Sequence, residues 1–209
     1  FEHAWAGYRK HAMGHDEVRP VTNRTNDSWG GYGVTLVDAL DSLKLMGFEA
    51  EFQEAAARAA AIVWDRDYDA SFFETTIRYL GGLLGAYELS GERALLERAR
   101  ELGDRLLVAF ESPTGVPYSI VNLRTGVARN PHWNGGLSVL AEVGTCQLEF
   151  TALSAHTGDA RYRTAARRAW ERVVRMDRPH RGLYPLYVDN VEGVFRDPGA
   201  VSYGGLGDS

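Results

Sequence analysis

Three times along the chain an apolar segment at helical spacing runs into a glycine turn, and a charged helical segment follows it. Residues 36–46 carry Leu36, Val37, Leu40, Leu43, Leu45 and Met46 and stop at Gly47, and Phe52, Ala55, Ala56, Ala59, Ile62 and Val63 mark the next segment. Residues 72–89 stop at Ser90-Gly91-Glu92 and restart through Leu95, Leu96, Ala99, Leu102 and Leu106. Residues 137–156 stop at Thr157-Gly158-Asp159 and restart through Ala165, Trp170 and Val173. The first member of each pair is rich in Leu, Gly and aromatics and the second in Arg and Glu, so the first belongs to an inner layer and the second to an outer one. The expectation is three α-hairpins, with residues 36–46, 72–89 and 137–156 inside and residues 52–64, 95–110 and 161–176 outside. A closed barrel and an open solenoid share this pattern, and periodicity does not separate them. Two proline-punctuated runs, residues 116–121 and 183–188, have strand character and are expected as small β-hairpins on one rim.

Composition then narrows the class of molecule. A chain of 209 residues suits one domain with its own core. With 44% hydrophobic and 24% charged residues it is not an intrinsically disordered sequence. Lys and Arg number 23 against 28 Asp and Glu, a net charge of −5 that repels a phosphate backbone and argues against nucleic acid as a partner. The longest apolar stretches, such as residues 55–64, are broken by Arg58 and are shorter than the ~20 residues of a membrane span, so no membrane span is expected in this segment. Cys146 is the single cysteine, so no disulfide can close within these residues. Phe1 is not an initiating methionine, and the chain stops in the glycine-rich Gly204-Gly205-Leu206-Gly207-Asp208-Ser209. A piece of a longer protein is expected.

Three local motifs are weak. His11 and His15 stand four apart, as in a zinc helix, but Ala12 occupies the place where a metalloprotease needs glutamate. Ala200-Val201-Ser202-Tyr203-Gly204 imitates a nucleophile elbow without its strand-turn-helix context. Gly30-Gly31-Tyr32-Gly33 could cradle a phosphate, but no P-loop lysine accompanies it, and a turn opening the following helix is the plainer reading. The acidic residues on the apolar segments say more. Glu74 and Arg78 stand one helical turn apart on one face, and Asp38, Asp41, Glu142 and Glu149 likewise lie on apolar segments. Each could satisfy a neighbouring backbone. Together they suggest carboxylates converging on one cavity, as acid/base hydrolysis of a sugar requires.

Several stretches, in order and spread over the chain, carry a resemblance. They include Gly14-His15-Asp16-Glu17-Val18-Arg19-Pro20, Gly33-Val34-Thr35-Leu36-Val37-Asp38-Ala39-Leu40-Asp41, residues 73–84, Pro113-Thr114-Gly115-Val116-Pro117-Tyr118, Ala141-Glu142-Val143-Gly144-Thr145, Gly182-Leu183-Tyr184-Pro185 and residues 204–209. The chain resembles class I α-1,2-mannosidases, glycoside hydrolase family 47. The resemblance implies an all-α fold, an (α/α) barrel of seven helical hairpins, of which residues 1–209 would form the N-terminal part of a single catalytic domain. It implies an inverting, calcium-dependent hydrolase that removes terminal α-1,2-linked mannose from high-mannose N-glycans in the endoplasmic reticulum or Golgi lumen or outside the cell, acting as a monomer. Glu74 would be the general acid and Asp208 part of the acidic set on the water side, while Arg78, Glu142 and Asp38 would bind the cleaved sugar. Two carboxylates of an inverting pair stand ~6.5–9.5 Å apart with water between them. No metal ligand is assigned within these residues: the resemblance places the Ca2+ site, and the second basic glutamate, beyond Ser209, so these residues alone are expected to be inactive. Asn23-Arg24-Thr25 and Asn26-Asp27-Ser28 are adjacent glycosylation acceptors that fit a secretory protein. Two other readings stay open: an idle, lectin-like relative that binds mannose-rich glycoproteins, and a helical-repeat scaffold. The intact Glu74, Arg78, Glu142 and Asp208 speak against the first, and acidic residues on apolar segments against the second.

Overall fold

A computed structural model describes residues 1–197 and 200–209. After α1 (Glu2–Ala12) and a hairpin of β1 (Glu17–Arg19) with β2 (Arg24–Asn26), the three expected helical hairpins follow in order. The first joins α2 (Val34–Asp38) and α3 (Leu40–Leu45) to α4 (Glu49–Ala60). The second is one continuous helical rod, α5 (Phe72–Glu74), a π-helical stretch Thr75–Leu80 and α6 (Gly81–Ser90), returning through α7 (Arg93–Leu106). The third joins α8 (Leu140–Thr145) and α9 (Gln147–Thr157) to α10 (Ala160–Val174). Gly91 and Gly158 end the second and third inner helices at φ +74° and +75°, left-handed values that glycine adopts without steric cost.

The layering follows the residue pattern. On α7, Leu95, Ala99, Leu102, Gly103 and Leu106 are buried, while Arg93, Glu97, Arg100 and Asp104 face solvent. On α10, Tyr162, Ala166, Ala169 and Val173 form the same single stripe. The inner helices are covered on more than one side, with α3 packed on both α4 and α6, and α6 on α7 and α9. Leu40, Leu43, Phe52, Leu80, Leu83, Leu95, Leu102 and Phe150 are fully buried in one core, each contributing roughly 1.5–3 kcal/mol of transfer free energy. Close approach of α2 to α6 requires Gly82: a Cβ there would lie 2.6 Å from the Val37 carbonyl oxygen. The last inner helix keeps one open face, on which Leu148 is 80% exposed.

Several boundaries differ from the sequence reading: the first outer helix ends at Ala60 and residues 61–64 are not helical. Residues 137–139 are not helical, because Ser138–Val139 forms β6, paired with β7 (Tyr187–Asp189), and α8 starts only at Leu140. Of residues 116–121 only the end is strand: β4 (Ile120–Asn122) lies between β3 (Asp69–Ser71) and β5 (Ala128–Arg129). Of residues 183–188 only the end joins β7, which pairs in turn with β8 (Val194–Arg196). Pro117 and Pro185 have no N–H for a ladder, so each strand forms only beyond its proline. The inner segment 36–46 is divided at Ala39 into α2 and α3.

Candidate active site

Two of the small sheets deliver carboxylates to equivalent places. The chain leaves β3 at Ser71 directly into α5, and Glu74 is the third helical residue; it leaves β6 at Val139 directly into α8, and Glu142 is again the third. Ser71 caps the first of these helices, its hydroxyl accepting from the Glu74 N–H at 3.2 Å. Since α5 packs on α8, the two acids come from adjacent helix N-termini on one rim.

Arg78 gathers the charges. Its Nε donates to Glu74 Oε2 at 2.8 Å and one terminal nitrogen donates to Asp38 Oδ2 at 3.1 Å, so one guanidinium joins the first inner hairpin to the second. Burial, the largest influence on Arg78, opposes its charge, but Asp38 and Glu74 outweigh it and raise its pKa. Asp38 is itself pushed above the usual carboxylate range by burial, which the neighbouring guanidinium only partly offsets. Burial also raises Glu142, with the charge of Glu74 acting in the same direction, and raises Glu149, which lies beside Gly81 on the facing inner helix. One buried carboxylate oxygen of each, Oε2, has no hydrogen-bond partner among the described residues. Both oxygens are closed off from solvent, and the nearby Ser119 hydroxyl partly offsets the rise at Glu142.

Asp208 reaches the rim by another route. Ala141 N–H donates to the Leu206 carbonyl at 3.1 Å, which ties the turn of residues 204–209 to the start of α8. There Asp208 helps line a cleft of about 460 Å³ with Ala141, Gln147, Trp170 and Tyr184. Glu74, Arg78 and Asp38 do not line that cleft: hydrogen bonds join those three directly, Glu142 is near enough for the charge of Glu74 to raise its pKa, and among the described residues Asp208 makes no hydrogen bond to Glu74.

The sequence profile of glycosyl hydrolase family 47 matches residues 1–209. The chain belongs to that family. It is 47% identical to mannosyl-oligosaccharide 1,2-alpha-mannosidase MNS1 of Arabidopsis thaliana over 99% of this chain and 37% of that protein. It is 42% identical to the human endoplasmic reticulum mannosyl-oligosaccharide 1,2-alpha-mannosidase over 100% of this chain and 30% of that protein. Its structure matches alpha-1,2-mannosidase from Trichoderma reesei with a TM-score of 0.90 and 31% identity, covering 100% of this chain and 46% of the fungal one. The chain thus spans about a third of the length of these curated relatives.

Around Glu74 and Arg78 lie residues to which the sequence assigned no role. Asp16, fully buried, accepts at one oxygen from Trp29 and Gly31 N–H and at the other from Gly33 and Val34 N–H and the Tyr79 hydroxyl, at 2.7–3.2 Å. The glycine run before α2 therefore does open a helix, and it also cradles an anion, which is the protein's own carboxylate. Tyr79 belongs to the π-helical stretch, a local widening often found at functional sites, and shares its single hydroxyl hydrogen between Asp16 and the Trp29 carbonyl, each at 3.1 Å. Held at both its N–H and its carbonyl, Trp29 lays its ring over the Arg78 guanidinium. The remaining motifs are structural: His15 pairs with Asp27 at 2.9 Å, and residues 200–204 form no strand-turn-helix.

Proposed function

We propose that the protein of which this chain is part hydrolyses terminal α-1,2-linked mannose from high-mannose N-glycans, with inversion at the anomeric carbon, in the lumen of the secretory pathway. The observation that carries the reading is the Arg78 clasp on Glu74 and Asp38, set on the rim of inner helices in a chain that matches family 47 throughout. In this reading Glu74 would be the acid that protonates the leaving glycosidic oxygen, and the hydrogen bond from Arg78 would fix its orientation. Asp38 and Glu142, both raised in pKa by burial, would accept hydrogen bonds from sugar hydroxyls. Asp208 belongs to the acidic set that would take the proton of the attacking water, from the opposite face of the sugar. Residues from the remainder of the protein would have to bring the two faces together.

Calcium enters this reading only as a requirement of the longer protein. Among the described residues no group of three or more His, Cys, Asp or Glu is gathered as a metal site, and no step here passes through one.

Full-length protein incubated with a high-mannose N-glycan should release mannose, and NMR of the first product should show the β anomer. Release of the α anomer would overturn inversion. Binding of the glycan with no release would replace the hydrolase by the lectin-like alternative.

A further inference from the structure

The two adjacent acceptor triplets are not equivalent once folded, and the fold distinguishes them. Asn23 sits in the turn that joins β1 to β2, exposed, with Val21 beside it 95% exposed. Its N–H donates to the Arg19 carbonyl at 2.8 Å and its φ is +55°, a left-handed value that Asn tolerates better than most residues. The turn explains an Asn at this position but makes no use of its side chain: the amide forms no hydrogen bond among the described residues. Thr25, the third residue of the triplet, is also exposed. Asn26 is different. Its Nδ2 donates to Glu17 Oε2 and to Ser28 Oγ, both at 2.8 Å, and its Oδ1 accepts from Arg19 at 3.1 Å. Both hydrogens of the nitrogen that would carry a sugar are engaged, one across the hairpin on Glu17 of β1 and one on Ser28 just beyond β2. Ser28, the hydroxyl residue of that triplet, is bound into the same cluster, and Asp27 between them is bonded to His15 and to the Asp16 N–H.

We propose that Asn23, and not Asn26, carries an N-linked oligosaccharide, an inference that rests on the secretory-lumen reading above. In the step, Nδ2 of Asn23 attacks the anomeric carbon of an oligosaccharide carried on a polyprenyl pyrophosphate. The new C–N bond replaces the C–O bond to phosphate, the lipid pyrophosphate departs, and the amide gives up one proton to the transferase. At Asn23 the lost N–H was free and the glycan projects from a turn into solvent. At Asn26 the same step would remove a donor from Glu17 or Ser28 and force a bulky group between two paired strands.

The test uses full-length protein driven into the lumen of human cells by a strong leader and recovered from the medium. Enzymatic deglycosylation in heavy-oxygen water converts each glycosylated Asn to labelled Asp, and peptide mass spectrometry locates it. Label at position 23 alone, with the glycan lost from both Asn23→Gln and Thr25→Ala, is the expected result. Thr25→Ala leaves the turn residue in place, so loss there cannot be laid to a damaged turn. Label at position 26, or at neither, overturns the proposal. Locating the protein with its native leader tests the secretory reading separately, so the two can fail independently.

Discussion

The indole of Trp29 covers the guanidinium that holds the candidate acid: Arg78 Cζ lies 5.3 Å from the Trp29 ring centroid while Arg78 Nε stays 2.8 Å from Glu74. A cation over an indole is worth ~0.5–2 kcal/mol, and 1.36 kcal/mol is about tenfold in rate. Trp29→Ala in the full-length enzyme should therefore lower kcat/KM about tenfold, with Trp29→Phe restoring most of it. In an Arg78→Ala background the same change should add nothing, because the ring would have lost its partner. Steady-state kinetics of the four combinations decide it, and equal losses in both backgrounds would separate Trp29 from Arg78.

Glu74→Gln removes the proton and keeps the shape. Turnover should fall by ~10²–10⁴ while binding of uncleaved glycan, measured by calorimetry, stays near normal. Unchanged kcat would move the acid to another carboxylate.

Glu142 gives a pH test of stability. Because burial raises its pKa above the ordinary 4.5, the folded protein holds this proton more tightly than the unfolded chain does. That advantage is complete below the ordinary value and is lost as pH rises through the raised one. Glu142→Gln has no such loss, so its Tm relative to wild type should climb between pH 4 and pH 8. About 1 kcal/mol is expected at the upper end, a gain of roughly 2–4 °C for a domain of this size. A Tm difference independent of pH would show that Glu142 is not held toward its neutral form.

How much of this was legible beforehand depended on sequence distance. The hairpins were legible because Gly91 and Gly158 punctuate runs whose apolar spacing is local, and the Glu74–Arg78 pair because four residues make one helical turn. Strand edges were misplaced where Pro117 and Pro185 shift the start of pairing, an effect set by the partner strand. Asp208 was singled out only through family resemblance. The cluster around Asp16 escaped altogether: its partners stand 13 to 63 residues away, and four of the five are main-chain N–H groups, which every residue but proline owns. Asp16 lay within a quoted stretch, yet nothing in its neighbours announces a buried carboxylate.

Gly82→Ala tests the spacing that brings Asp38 to Arg78. A methyl group 2.6 Å from the Val37 carbonyl oxygen cannot be accommodated unless α2 moves, and Asp38 is the next residue. The variant should lose about 2 kcal/mol of stability and also raise KM. Thermal unfolding and kinetics on one preparation check both, and a normal KM would show that α2 shifts without carrying Asp38.

The five donors around Asp16 also bear on the order in which the molecule assembles. Four of them come from the segment leading into the first inner hairpin and the fifth from the second, so the carboxylate is fully answered only after the two hairpins have met. Any partly folded chain in which they stay apart leaves a desolvated anion short of partners, and such states are disfavoured. The segment from Trp29 to Val34 should therefore set in a single step with the core, with no separately stable loop. Its amides, although near the surface of the rim, should exchange with solvent only when the whole domain opens.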